Sequence, residues 1–139
     1  MNWTKLLIAT LIGSIAYFLL GWLVYGVLFA DALSIAPEFK DNAEYPEDEL
    51  KVGLMYLSCL AWAGLFAYIF MKWANISTFL GGLKAGAFLG SLITLSSFLG
   101  LAAQFRIWNP QSIMMNVIAT MICTGLMAGI VGWYLGRGK

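Results

Sequence analysis

Four apolar runs, each close to the length needed to cross a bilayer, leave this chain few folds to choose from. They cover roughly Leu6 to Ala30, Val52 to Met71, Phe79 to Ala103 and Ile113 to Leu135. A helix needs about 20 mostly apolar residues to pass through the hydrocarbon core. None of the runs contains Asp, Glu, Arg or His, and Lys84 is the one charged residue inside any of them. Hydrophobic residues make up 61% of the 139 and charged residues 11%, where soluble domains hold roughly half and a quarter. A water-soluble fold of this size cannot hide that excess, because much of its surface stays wet. The solvent for most of the chain is lipid.

All the carboxylate side chains fall in the segment after the first run: Asp31, Glu38, Asp41, Glu44, Glu47, Asp48 and Glu49. The other connections are short, which makes successive helices antiparallel neighbours. The expected fold is therefore all-α, an integral membrane four-helix bundle of antiparallel up-down form. It is a single membrane domain over residues 1–139, with an acidic external loop over 31–51. Lys5, Lys72, Lys84, Arg137 and Lys139 fall on the side of both termini, and Lys40, Lys51 and Arg106 on the other. That bias places the N- and C-termini in the cytoplasm. Trp3, Trp73, Trp133 and Tyr134 mark one interface, and Trp22, Tyr25, Tyr56 and Trp108 the other. Ala30-Asp31-Ala32 loosely fits a signal cleavage site, but the run before it is far longer than a signal core and reads as a retained helix.

Several helix starts are legible. Pro46 followed by Glu47, Asp48 and Glu49 puts proline in a first turn and negative charge at the positive end of the helix dipole. The second helix is expected to begin there, ahead of the membrane. Ser77 or Thr78 can cap the third helix, and Asn109-Pro110 is a capping residue plus first-turn proline for the fourth. Gly136 and Gly138 are expected to close the last helix, with Arg137 and Lys139 favourable at its negative end.

Helices in lipid associate through close packing and hydrogen bonds rather than hydrophobic exclusion. The third run carries Gly82, Gly86 and Gly90 at four-residue spacing, continued by Thr94. The fourth carries Gly125, Gly129, Gly132 and Gly136. Two such stripes in consecutive helices invite a contact with each other; the alternative is that one faces outward toward another copy or another protein. Ser14, Ser58, Ser91, Ser96, Ser97, Thr120 and Thr124 can satisfy their hydroxyls one turn back or across to a neighbour. Asn116 is the most polar group in a span, and a cross-helix bond is its expected role.

Familiar chemistry is missing. Proton-coupled carriers use ionisable groups within the membrane, and here the spans hold no carboxylate and the chain no histidine. Histidine-dependent triads and zinc sites lack their residues. No enzyme activity, catalytic residue, metal or cofactor is expected. Net charge of +1 without a basic stripe gives no reason to expect nucleic acid. Lys84 lies one to two turns inside the third span and is expected to snorkel to the headgroups; the sharper alternative is a solute contact, shared with Asn116, in a cytoplasm-facing cavity. Asp41, Glu44, Glu47, Asp48 and Glu49 lack calcium-loop spacing and read as a solvated segment. Cys59 and Cys123 sit inside apolar runs and read as small buried hydrophobes. Asn75-Ile76-Ser77 fits a glycosylation sequon, but on the side expected to be cytoplasmic.

The end of the first span reads Gly21-Trp22-Leu23-Val24-Tyr25-Gly26-Val27-Leu28-Phe29, and the chain opens Met1-Asn2-Trp3. Glycine and aromatics followed by Tyr-Gly and Leu-Phe at that position resemble the short bacterial four-span proteins of domain-of-unknown-function family 1761. The motif resemblance covers about the first 30 residues, with Gly21, Trp22, Tyr25 and Gly26 as its carriers. It implies a polar segment after helix one, three further spans and a bacterial inner-membrane location. It implies no activity. The expected role is association: a homo-oligomer or a subunit of a membrane complex, with the lipid bilayer and other membrane proteins as partners. The alternative is an oligomeric carrier or channel for a small neutral or anionic solute.

Overall fold

A computed structural model describes residues 1–29 and 46–137. Helix α1 covers Trp3–Leu23, α2 Val52–Ile69, α3 Phe79–Gln104 and α4 Pro110–Gly136, and the described residues contain no strand. Five-residue π-helical turns prolong α1 over Val24–Leu28 and α2 over Phe70–Ala74. With them, the four helices run for 26, 23, 26 and 27 residues, each long and apolar enough to cross a membrane. Asp31, Glu38, Asp41 and Glu44, and with them most of the acidic segment, lie outside the described residues, as do Gly138 and Lys139.

The ends follow local chemistry. Asn2 caps α1 by accepting from the Lys5 N–H at 3.1 Å. Of the two candidates for the third helix, Thr78 caps α3, accepting from the Gly81 N–H at 3.1 Å. Asn109 accepts from the Ser112 N–H at 2.7 Å, directly ahead of Pro110 in the first turn of α4. Each cap satisfies a backbone donor that the helix itself leaves free. Asn75 ends the π turn after α2 in the left-handed region, at φ 49°, a conformation asparagine tolerates better than most residues.

Two boundaries differ from the sequence reading. The second helix does not begin near Pro46. Pro46 instead leads a separate 3-10 turn over Glu47–Glu49, and Leu50 then adopts extended backbone at φ −59° and ψ 127°. That turn is exposed around Asp48, Glu49 and Leu50, so nothing packs it into a longer helix, and 3-10 runs are short by nature. At the other end of the chain, Gly136 does not act as a left-handed cap. Arg137 follows it with φ −66° and ψ 128°, so extended backbone ends α4.

Helix α4 is the centre of the bundle. It packs along α3, α1 and α2, while α1 and α2 also pack on each other. Its Met127, Ala128, Val131 and Leu135 form the main core with Leu6 and Ala9 of α1, Ala63, Phe66 and Ala67 of α2, and Phe70. Phe66 and Phe70 meet edge-on at 6.0 Å, and Trp62 meets Phe66 at 5.5 Å. A second, smaller core joins Val24 to Ala119 and Cys123. Neighbours in the chain run antiparallel: Ser14 of α1 meets Tyr56 of α2, and Lys5 Nζ donates to the Arg137 carbonyl at 2.9 Å. The start of α1 and the end of α4 thus share one end of the bundle.

Helix α3 is held differently. Its buried residues are Gly82, Gly86, Gly90 and Thr94, and none beyond Thr94 is buried. The glycines lie directly on α4. A Cβ on Gly82 would meet the Ala128 carbonyl, and one on Gly86 would meet the Ala128 side chain and come within 2.7 Å of the Thr124 carbonyl oxygen. One on Gly90 would stand 2.8 Å from Thr124 Cγ2. From the α4 side, Gly125 faces Ala87, Gly129 faces the Phe79 ring, Gly132 faces the Thr78 carbonyl and Gly136 faces Ser77. The two stripes meet each other, and backbone-to-backbone approach is what they provide. Past Thr94 no residue of α3 is buried, and a Cβ on Gly100 would have nothing within 4 Å of it.

Candidate functional site

A cleft lies beside Thr94. Tyr17 of α1, Ser58 and Trp62 of α2, Ile93, Thr94, Ser97 and Phe98 of α3, and Thr120 of α4 line a cavity of about 180 Å³. All four helices contribute, and most of the polar atoms are hydroxyls. Among the described residues no charged side chain lines it.

The floor of the cleft is a set of fixed hydrogen bonds. Trp62 Nε1 donates to Thr124 Oγ1 at 3.0 Å, tying α2 to α4. Tyr25 OH and Thr120 Oγ1 are 2.9 Å apart, tying the π turn after α1 to α4. The Tyr17 hydroxyl stands beside Thr124, and its ring lies 6.4 Å from that of Trp62. One turn away, Ser14 Oγ donates to the Leu11 carbonyl at 2.9 Å and lies 3.1 Å from Tyr56 OH. The serine hydrogen is committed to the carbonyl, so the tyrosine is the donor in that pair. Phe18 packs edge-on against Tyr56 at 5.7 Å.

The wall differs from the floor. Ser97 turns back to the Ile93 carbonyl at 2.8 Å, which is the ordinary solution for a hydroxyl in a membrane helix. Thr94 is only 8% exposed, yet it has no hydrogen-bond partner among the described residues. Among the described residues no enclosed side-chain nitrogen or oxygen lacks a partner, so Thr94 Oγ1 keeps open surface, and the cleft is where the residue faces. Ser58, on the opposite wall, is likewise without a protein partner.

Neither residue singled out from the sequence as a solute contact lines this cleft. Lys84 stands on the exposed side of α3 and does not line the cleft. Asn116 is buried, and its Nδ2 donates to the Ser112 carbonyl at 2.8 Å, one turn back in α4. The cross-helix bond expected of that amide is replaced by a bond within its own helix, because a carbonyl one turn back is always in reach. Of the first-span residues, Tyr25 is engaged through Thr120, Trp22 is exposed beside Phe18, and Gly21 and Gly26 have open space in front of them. Cys59 and Cys123 are buried free thiols. Among the described residues, no group of three or more Cys, Asp or Glu side chains is placed to hold a metal ion.

Four apolar helices, packed around a cleft into which a few hydroxyls open, define a small multi-pass membrane protein. The chain belongs to the family described as "Protein of unknown function (DUF1761)", whose profile matches residues 8–132. The match runs from α1 into α4, well beyond the first-span motif. No curated protein and no solved structure matches the chain.

Proposed function

We propose that this chain is a non-enzymatic membrane protein that binds a small uncharged solute in the cleft between its four helices. Thr94 carries the reading. The residue is almost wholly buried, its hydroxyl opens on the cleft, and that hydroxyl has no hydrogen-bond partner among the described residues. In lipid an unmet hydroxyl is costly, so a guest able to hydrogen-bond to Thr94 is favoured there. A volume of about 180 Å³ is below the roughly 300–1,000 Å³ of drug-sized pockets. The guest is therefore a molecule of a few heavy atoms, of the size of glycerol. The uncharged lining selects against ions. Ser58 and Thr94 offer the free hydroxyls, and Tyr17, Trp62 and Thr120 shape the site. The Lys/Arg bias and the family resemblance support a bacterial inner-membrane setting with both termini in the cytoplasm.

Glycerol flux into vesicles reconstituted with the protein tests this reading, followed by light scattering after an osmotic step. Flux above that of empty vesicles, reduced several-fold by Thr94→Val with Ser58→Ala, is the expected result. Flux equal to empty vesicles, for glycerol and for other small neutral polyols, would sink it.

A second reading, association with another copy or another membrane protein, is supported by a different observation. Gly82, Gly86 and Gly90 are occupied by α4, but Gly53 and Gly100 have nothing within 4 Å. Helices can approach closely at such positions. Native mass spectrometry of the gently extracted protein decides this: an oligomer or complex lost in Gly53→Ile with Gly100→Ile supports association, and a monomer throughout removes it.

A further inference from the structure

A second cavity, of about 140 Å³, lies at the end of the bundle that carries the start of α1 and the end of α4. Lys5, Phe70, Met71, Asn75, Ile76 and Leu135 line it. Its polar side chains, Lys5 and Asn75, both carry N–H donors. The Lys5 ammonium gives one hydrogen to the Arg137 carbonyl, and a lysine has three to give. Asn75 holds its left-handed backbone here, and its side-chain amide has no hydrogen-bond partner among the described residues. The acceptor that Lys5 has found is a neutral carbonyl, not a carboxylate.

The surroundings extend the positive field. Lys72 is exposed at this end, and the Arg137 guanidinium lies 3.9 Å over the Trp133 ring. Trp3, Trp73 and Trp133 are 66%, 69% and 48% exposed, as side chains at the headgroup level are. The described carboxylates, around Glu47–Glu49, precede α2 at the opposite end of the bundle. A cationic hollow at the depth of a tryptophan belt, with spare N–H groups and no carboxylate among the described residues at its end, suits a phosphate carried on a lipid.

We propose that this cavity binds the headgroup phosphate of an anionic phospholipid, held by Lys5 Nζ and the Asn75 amide with Arg137 at its rim. The apolar walls from Phe70, Met71, Ile76 and Leu135 take the glycerol backbone, and the acyl chains run along the outside of the bundle.

The test is thermal unfolding of the purified protein in a neutral detergent with added phosphatidylglycerol, phosphatidylcholine or inorganic phosphate. Phosphatidylglycerol should raise the unfolding temperature by several degrees, and the other two should not. Lys5→Gln should weaken the lipid about fivefold, the loss of one surface charge. Asn75→Gly should also weaken it, and glycine removes the amide without straining the left-handed backbone. Arg106→Gln, following α3, should leave the response unchanged. Equal stabilisation by phosphatidylcholine would overturn the proposal, as would equal stabilisation by inorganic phosphate. A phosphatidylglycerol response untouched by both Lys5→Gln and Asn75→Gly would overturn it too.

Discussion

Trp62 of α2 donates its indole N–H to Thr124 of α4 at 3.0 Å, and against that same threonine Gly90 of α3 makes its closest approach. One residue thus meets two helices in two ways, by an acceptor oxygen on one side and a methyl group on the other. Valine at position 124 would keep the shape and lose the acceptor. Thr124→Val should destabilise the protein by about 0.5–1.5 kcal/mol, the range measured for hydrogen bonds between membrane helices. Unfolding in mixed micelles measures the loss. An unchanged stability would mean the indole finds another acceptor.

The glycines of α3 divide into engaged and open positions, and the difference is measurable. Gly86→Ala puts a methyl against Ala128 and the Thr124 carbonyl, and overpacking of this kind costs about 1–3 kcal/mol. Gly100→Ala has open space and should be neutral or stabilising by up to about 1 kcal/mol, as alanine is the better helix former. Comparing the two variants in one unfolding assay separates seam packing from helix propensity. Similar effects in both would contradict the seam.

Lys84 should prove dispensable for stability and for solute movement. It stands on the exposed side of α3 and lines neither the cleft nor the cavity beside Lys5. Lys84→Ala is expected to change stability by less than about 0.5 kcal/mol and to leave any glycerol flux intact. Loss of flux in that variant would relocate the solute path away from the cleft.

The two thiols give a probe of the core. Cys123 is fully enclosed and Cys59 is 9% exposed. A membrane-impermeant maleimide should label neither in intact membranes and both after denaturation. Labelling of Cys123 before unfolding would mean that the second core, where it meets Ala119 and Val24, opens to water.

The four helices are legible in the sequence because apolar length alone defines a span, and two of the starts are legible because Thr78 and Asn109-Pro110 satisfy donors locally. The π turns Val24–Leu28 and Phe70–Ala74 were not legible, since apolar residues continue through both and nothing in the residue types marks the change of hydrogen bonding. The Pro46 start misled for a related reason: proline and three acids describe a first turn, and only the extended backbone at Leu50 stops it there. The cleft was hidden more deeply. Ser58, Thr94, Ser97 and Thr120 come from three helices that are apolar on every face, so periodicity does not tell which face turns inward. Their convergence depends on how the helices are rotated against one another, which is a property of the packed bundle. The one partial signal is Thr94 itself, four residues past Gly90 in the small-residue stripe.

The central position of α4 also sets an order of events. Chains are made from the N-terminus, and α4 is the last of the four helices to emerge. Helices α1 and α2 can pair as soon as both are inserted. Helix α3, whose packing surface is almost entirely α4, must wait in the bilayer with Gly82, Gly86 and Gly90 uncovered. During that interval any other small-residue helix within reach is a competitor for the seam. A chain released before residue 110 would carry three of the helices, two of them paired and the third without its partner.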